Sequence, residues 1–298
     1  MSAGLSRGDA ARLAVVILIW GLNFVAMKLG LQGLSPFLMG ALRFAVAALP
    51  VLAFVRPPGL PWRYVVGYGL AQGLGQFGLL FLGLQLGMTA GMASVVMQMQ
   101  AFFTLLLAAP LLREPTRPAQ WLGLTVALAG LVMIACAHGE GPGQMTLIGF
   151  VLTVGAALMW AVANIVGRLA ARVADYDPFR FIVWTSTVPI LPFLALAVWQ
   201  QGPAEVGAQL RHIDARGVVS VLFLGLLATL LAYSLWTRLL QRHPAGKVVP
   251  WSLLVPVVGL SAAAVAFGEW PLPLQWAGAA AVLLGLAVNQ GAAWWRRR

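Results

Sequence analysis

The sequence predicts an all-α membrane protein of ten transmembrane helices in two inverted five-helix repeats. Three observations carry this expectation. Of 298 residues, 61% are apolar and only 9% charged, whereas soluble domains run at about 45–50% and 25%. A soluble core this apolar could not be covered with polar surface. Ten apolar runs follow one another along the chain, most of them long enough to cross a bilayer. Short motifs of the first half return in the second half.

In order, the runs are 11–30, 36–55, 64–86, 90–111, 119–137, 145–168, 178–199, 217–240, 245–267 and 273–294. The first follows a polar leader with Arg7 and Arg12 and lacks a small-residue cleavage site, so it reads as a retained span. Connections are short, and the longest, 200–216, is too small for a domain. The 33 Gly, 18 Pro and 12 Trp fit membrane helices. Trp62, Trp121, Trp276, Trp294 and Trp295 sit near span ends as interface anchors. The single Cys136 cannot form an internal disulfide and reads as a helix-packing residue.

The net charge of +11 does not mark a nucleic-acid binder, because the basic residues are scattered singly between apolar runs. They follow the positive-inside rule instead. With the N-terminus inside, fifteen Lys and Arg fall on inner segments and two, Arg211 and Arg216, on outer ones. Lys28 and Arg43 remain, near the outer ends of their spans. This asymmetry predicts a multi-pass protein of the bacterial inner membrane with both termini cytoplasmic.

The repeat is read from paired motifs. Ala90-Gly91 matches Ala245-Gly246, Glu114 matches Glu269, and Gln120-Trp121-x-Gly123 matches Gln275-Trp276-x-Gly278. Gly130 matches Gly285, all at an offset of 155. Earlier, Trp20 and Lys28 match Trp160 and Arg168 at 140, and Pro36-Phe37 matches Pro178-Phe179 at 142. Five spans per half is an odd number, so the second half must be inverted. The predicted units are 1–140 and 141–298.

Several of these stretches also carry a family likeness. They are Trp20-Gly21-Leu22-Asn23-Phe24, Leu34-Ser35-Pro36 with Arg43-Phe44, Pro256, Gly268-Glu269 and Gln275-Trp276-Ala277-Gly278. The chain resembles the EamA type of the drug/metabolite transporter superfamily, and within it YddG-type bacterial amino-acid exporters. The resemblance spans nearly the whole chain. It implies a central cavity and export of small amphipathic metabolites, amino acids including aromatic ones foremost, by alternating access.

Candidate site residues follow from polar and aromatic groups placed within spans. Asn23 and Asn164 need partners in hydrocarbon, either a neighbouring helix or a cavity and its ligand. Trp20 and Trp160 lie at mid-depth, as core packing or as walls against an apolar ligand. Phe24 adjoins Asn23. Gln76 stands one turn from Gln72, and Met97 and Gln98 suit an adaptable pocket. Tyr233, Trp251 and Ser252 complete the substrate-binding set. Lys28 and Arg43 are candidates for gating or for receiving a carboxylate, against snorkelling and structural pairing. Pro256 has no N–H for the carbonyl of Ser252, so that oxygen is freed for a ligand, or the helix bends there as a gate. Gly69/Gly73 and Gly83/Gly87/Gly91 have small-xxx-small spacing, for packing within the bundle or for dimerisation; monomer and homodimer both remain open.

Absences narrow the cargo. All eight acids fall in tails, loops or span ends, and His138, His212 and His243 lie in loops. A pump for lipophilic cations needs a buried counter-charge, so neutral or zwitterionic cargo is expected. No metal or catalytic spacing and no GxxxxGK[ST] phosphate loop occurs, so neither a cofactor nor ATP is expected, and the chain does not read as an enzyme. Another cargo class of the same superfamily is the alternative. From a different class, a membrane enzyme or a lipid scramblase remains, the scramblase requiring a polar groove facing lipid.

Overall fold

The computed structural model describes residues 6–113, 116–139, 144–243 and 248–294. Glu114, Glu140, Ala245, Gly246, Lys247, Trp295, Arg296, Arg297 and Arg298, used above, lie outside these stretches. Every described element is helical. The ten predicted spans appear as α1 Arg7–Gly30, α2 Pro36–Leu52, α3 Trp62–Gln85, α4 Ala90–Leu111 and α5 Pro118–Cys136. The second half gives α6 Leu147–Val173, α7 Pro178–Gln201, α8 Ala215–Leu239, α9 Leu254–Phe267 and α10 Pro273–Trp294. Seven are long enough to cross a membrane by length and composition, while 36–52, 251–267 and 273–289 are shorter apolar helices. The connection 200–216 is not featureless: it folds into a short helix, Pro203–Arg211.

Local chemistry sets the helix starts. Ser6, Thr89, Thr146, Asp177 and Asp214 each cap the following helix by accepting a backbone N–H two or three residues into it. Pro36, Pro118 and Pro178 occupy first-turn positions, where the missing N–H costs nothing.

The repeat is visible at two levels. The third span of each half contains a nine-residue π-helix, Gly69–Phe77 in α3 and Phe223–Leu231 in α8. The fourth span of each half contains a 3₁₀ segment, Met97–Met99 within α4 and Val249–Leu253 before α9. The fifth spans then meet face to face. A Cβ on Gly123 would lie 2.5 Å from the carbonyl oxygen of Gly285, and one on Gly285 2.4 Å from that of Gly123. Gly130 and Gly278 oppose each other in the same way, at 2.5 and 2.6 Å. Each contact joins a glycine to its partner's counterpart in the repeat, and their order runs antiparallel. This is the two-fold arrangement that inversion of one half requires.

The other glycine pairs pack inside the bundle. Gly69 and Gly73 face Thr185, Val188 and Pro189 of α7, Gly83 faces Gly149 and Thr153 of α6, and Gly91 faces Leu260 and Ala263 of α9.

Polar contacts tie the two faces of the bundle. On the face carrying the start of α1, Asp9 lies 2.6 Å from Arg12 and 2.9 Å from Nε2 of His243, joining α1 to the end of α8. On the opposite face, Lys28 forms an ion pair with Glu269, whose second oxygen accepts the Ala90 N–H at 2.9 Å. Lys28 also sits 5.2 Å from the Phe267 ring centre. One carboxylate there links α1, the α9–α10 connection and the start of α4.

The α5–α10 contact yields a testable expectation. Gly123→Ala or Gly278→Ala puts a methyl group against a backbone oxygen that cannot swing away. Each is expected to cost about 1–3 kcal/mol, read as a lower melting temperature in detergent. An unchanged melting temperature in both would refute this account of the contact.

Candidate functional site

A cavity of about 570 Å³ lies at the centre of the bundle. Spans α1–α4 and α6–α9 contribute to its wall, and among the described residues none of α5 or α10 does. It reaches the face that carries the start of α1, because Arg168, Ala171, Tyr176 and Pro178 line it there. No described residue of the opposite connections lines it. On that far side, aromatic rings fill the interior. Phe44 stacks on Phe193 at 6.1 Å and meets Phe77 edge-on at 5.7 Å, and Phe81 follows Phe77 at 6.0 Å. The cavity is thus open toward one face and sealed toward the other.

Its aromatic wall is held by the π-helix of α8. Trp20 donates Nε1–H to the carbonyl of Ala228 at 3.3 Å, and its ring meets Tyr233 and Trp236, both at 5.2 Å. The Tyr233 hydroxyl accepts from Gln72 of the α3 π-helix at 2.8 Å. π-Helical turns shift the backbone ladder and recur at functional sites. Here the bond from Gln72 joins the α3 π-helix to Tyr233, two residues past the α8 π-helix.

Arg43 is the most buried charged side chain of the wall, 1% exposed. Its guanidinium lies flat against the Phe77 ring, 3.7 Å from the centre. Nε and Nη2 donate to the Thr229 hydroxyl at 3.3 and 3.2 Å, and that hydroxyl donates to the carbonyl of Leu224. Nη1 has no hydrogen-bond partner. No Asp or Glu among the described residues lines the cavity. A buried guanidinium without a carboxylate is costly.

Most of the expected residues converge. Trp20, Asn23, Phe24, Arg43, Gln76, Met97, Gln98, Trp160, Asn164, Tyr233 and Ser252 all line this one cavity. The two asparagines differ in their bonding. Asn164 donates to Gln100 at 2.8 Å and Thr104 at 3.1 Å, tying α6 to α4. Asn23 donates only to the Met27 sulfur one turn away, at 3.8 Å, and its oxygen has no partner. The Ser252 carbonyl, which cannot bond to Pro256, accepts instead from the Gln98 side chain at 3.1 Å.

One expectation needs correction, and two other residues lie off the cavity wall. Trp251 does not line the cavity: it is 48% exposed and lines an outward-facing apolar groove with Leu13, Leu18 and Leu254. The 3₁₀ segment Val249–Leu253 is wound more tightly than an α-helix, so its faces fall out of helical phase. Lys28 is not in the cavity either, because Glu269 holds it on the sealed face. Pro256 is buried inside α9 and off the wall.

Tyr68, Phe77, Thr104 and Tyr176, which the sequence did not single out, also line the cavity, as do Gln100 and Trp236. Gln100 and Thr104 stand one turn apart on the same helix as Gln98, and Trp236 stands three residues from Tyr233. Helical spacing was the one available signal for these.

Known proteins bear on this geometry. The model of the EamA-like transporter family matches residues 10–136 and again 147–290. A probable amino-acid metabolite efflux pump of Salmonella typhimurium is 39% identical over 289 residues, covering 96% of this chain and 95% of its own. The Escherichia coli protein of the same description is 35% identical over 294 residues, 98% of each chain. A probable terminal-alkyne amino-acid exporter of Streptantibioticus cattleyicolor is 28% identical over 295 residues, 96% of this chain and 94% of its own. One solved crystal structure superposes with a TM-score of 0.62 over 98% of this chain and 99% of its own, at 22% identity, a likeness of fold alone. The ten helices, the doubled motifs, the central cavity and these matches along both halves agree: the chain belongs to the EamA-like transporter family.

Proposed function

We propose that this protein exports small amphipathic amino acids, aromatic ones included, through the central cavity by alternating access. The observation that carries the reading is Arg43, a buried guanidinium with an unpartnered nitrogen in an aromatic cavity free of acids. A carboxylate completes its hydrogen bonds and its charge, and Trp20, Trp160 and Tyr233 offer faces for an apolar side chain. The names of the relatives, two amino-acid metabolite efflux pumps and an amino-acid exporter, support the same cargo.

The positive-inside bias supports a cytoplasmic placement of the face on which the cavity opens. In this state cargo enters from inside, while the phenylalanine stack and the Lys28–Glu269 pair close the periplasmic side. Rocking of the units 1–140 and 141–298 about each other then exchanges the two openings, with Pro256 and the segment Val249–Leu253 as bending points. Transport needs no chemistry of the wall. With no carboxylate there to carry a proton, flux follows the cargo gradient. Lipid scrambling is disfavoured, because the outward-facing groove between α1 and α9 is lined by Ala10, Leu13, Ile17, Trp251 and Val257 and offers headgroups no polar path.

Two experiments test this. In proteoliposomes, Arg43→Gln is expected to lower saturable L-phenylalanine flux by about tenfold or more, the weight of one charged hydrogen bond, with Arg43→Lys in between. Wild-type flux in Arg43→Gln would sink the carboxylate assignment, and no saturable amino-acid flux in the wild type would sink the cargo. Glu269→Gln weakens the closure of the far face. Lys28 is 29% exposed, so the pair is worth about 1 kcal/mol or less. A reporter Ser94→Cys, in a Cys136→Ser background, should then react up to about fivefold faster with an impermeant maleimide added outside. An unchanged rate would remove the pair from the gate.

A further inference from the structure

Four buried side-chain polar atoms have no hydrogen-bond partner among the described residues: Asn23 Oδ1, Ser35 Oγ, Arg43 Nη1 and Gln76 Oε1. Three of these, all but Ser35, belong to residues that line the one central cavity. Their side chains are more than nine-tenths buried, Asn23 at 8% exposed and Gln76 at 3%. An orphaned buried acceptor costs about as much as an unmade hydrogen bond, and clustering at one cavity marks a place for a ligand.

The three atoms are not alike. Arg43 Nη1 is a cationic donor, while the two amide oxygens are neutral acceptors. Asn23 Nδ2 is already engaged with Met27, which turns Oδ1 to the free position. Gln76 directly precedes Phe77, the ring on which Arg43 lies, so an acceptor and the donor are set by one turn of the α3 π-helix. Asn23 stands on α1 across the wall.

We infer that the cavity reads the α-ammonium group of its cargo through the carbonyl oxygens of Asn23 and Gln76, beside the carboxylate on Arg43. This rests on the amino-acid reading above and deepens it: the free amine becomes a determinant of specificity. The electrostatics agree. A zwitterion leaves the net charge of the cavity unchanged. An amine without a carboxylate would add a second cation beside Arg43. A carboxylic acid without an amine would leave both acceptors desolvated and unmatched. Because the acceptors are amides, they prefer an ammonium donor without fixing a counter-charge that would admit simple amines.

The test compares three ligands on the purified full-length protein by equilibrium binding: L-phenylalanine, 3-phenylpropionate and phenethylamine. Wild type should bind L-phenylalanine at least about tenfold more tightly than either analogue. Asn23→Leu and Gln76→Leu should each narrow the preference over 3-phenylpropionate to within about twofold, because they remove the acceptor and leave Arg43. Asn23→Asp, isosteric, should raise phenethylamine binding by about tenfold. No binding of L-phenylalanine to the wild type would overturn the amino-acid reading itself. Equal wild-type binding of L-phenylalanine and 3-phenylpropionate overturns only the ammonium subsite. So does an unaltered ratio in the leucine variants together with no gain in Asn23→Asp.

Discussion

In hydrocarbon a backbone N–H or C=O without a partner costs several kcal/mol, and that constraint governs where this bundle departs from the α-helix. The described spans depart from it in paired places: the π segments Gly69–Phe77 and Phe223–Leu231, and the 3₁₀ segments Met97–Met99 and Val249–Leu253. All four reach the cavity, through Gln76, Met97, Ala228 and Ser252. Side chains take up backbone carbonyls there: Trp20 that of Ala228, Thr229 that of Leu224, and Gln98 that of Ser252. The wall residues are therefore also the groups that make an irregular backbone tolerable. Removing Trp20 or Gln98 would take away a surface for cargo and a backbone partner together.

The scaffold is symmetric and the site is not. The α5–α10 glycines, the π-helices and the 3₁₀ segments all obey the repeat. The buried side-chain polar atoms without a partner among the described residues all come from the first half. At the offsets of the surrounding motifs, Asn23 corresponds to Ala163, Arg43 to Thr185, and Gln76 to Leu230. The second half answers with Trp160, Tyr233 and Trp236. On the proposed reading, an amphipathic cargo has one half-site for its charged end and another for its side chain. Duplication supplies two equivalent helical frames, and divergence makes them complementary.

The spans were legible because hydrocarbon demands long apolar runs, and the short helix Pro203–Arg211 was missed because a loop of 17 residues carries no such demand. The repeat glycines could be aligned from sequence, but only the packing shows that Gly123 meets Gly285 rather than Gly278. Pro256 announces a carbonyl without its N–H at Ser252; that Gln98 supplies the donor is a contact across 154 residues that no local pattern encodes. Glu269 reads as a loop acid until Lys28, 241 residues earlier, is seen beside it. Trp251 was chosen as an aromatic within a span, and residue type alone does not say which way a 3₁₀ segment turns it. Position along the chain was readable, then, and so was the facing of Gln76, Met97, Gln98 and Ser252, while the long-range partners were not.

If Arg43 receives the cargo's carboxylate as proposed, its bonding also limits how tightly this cavity holds that cargo. A fully free guanidinium in a dry pocket can clamp a carboxylate through a pair of parallel bonds. Here Nε and Nη2 are on Thr229, the flat face is on Phe77, and Nη1 alone has no partner. One charged hydrogen bond contributes about 1.5–3 kcal/mol, against about 4 kcal/mol for millimolar binding. The rest must come from ring contacts that an aromatic side chain makes well and a small one makes poorly. A site of this kind selects by side-chain area as much as by charge. It also lets cargo go once water reaches Arg43 from the other side, as a transporter requires and a tight receptor does not.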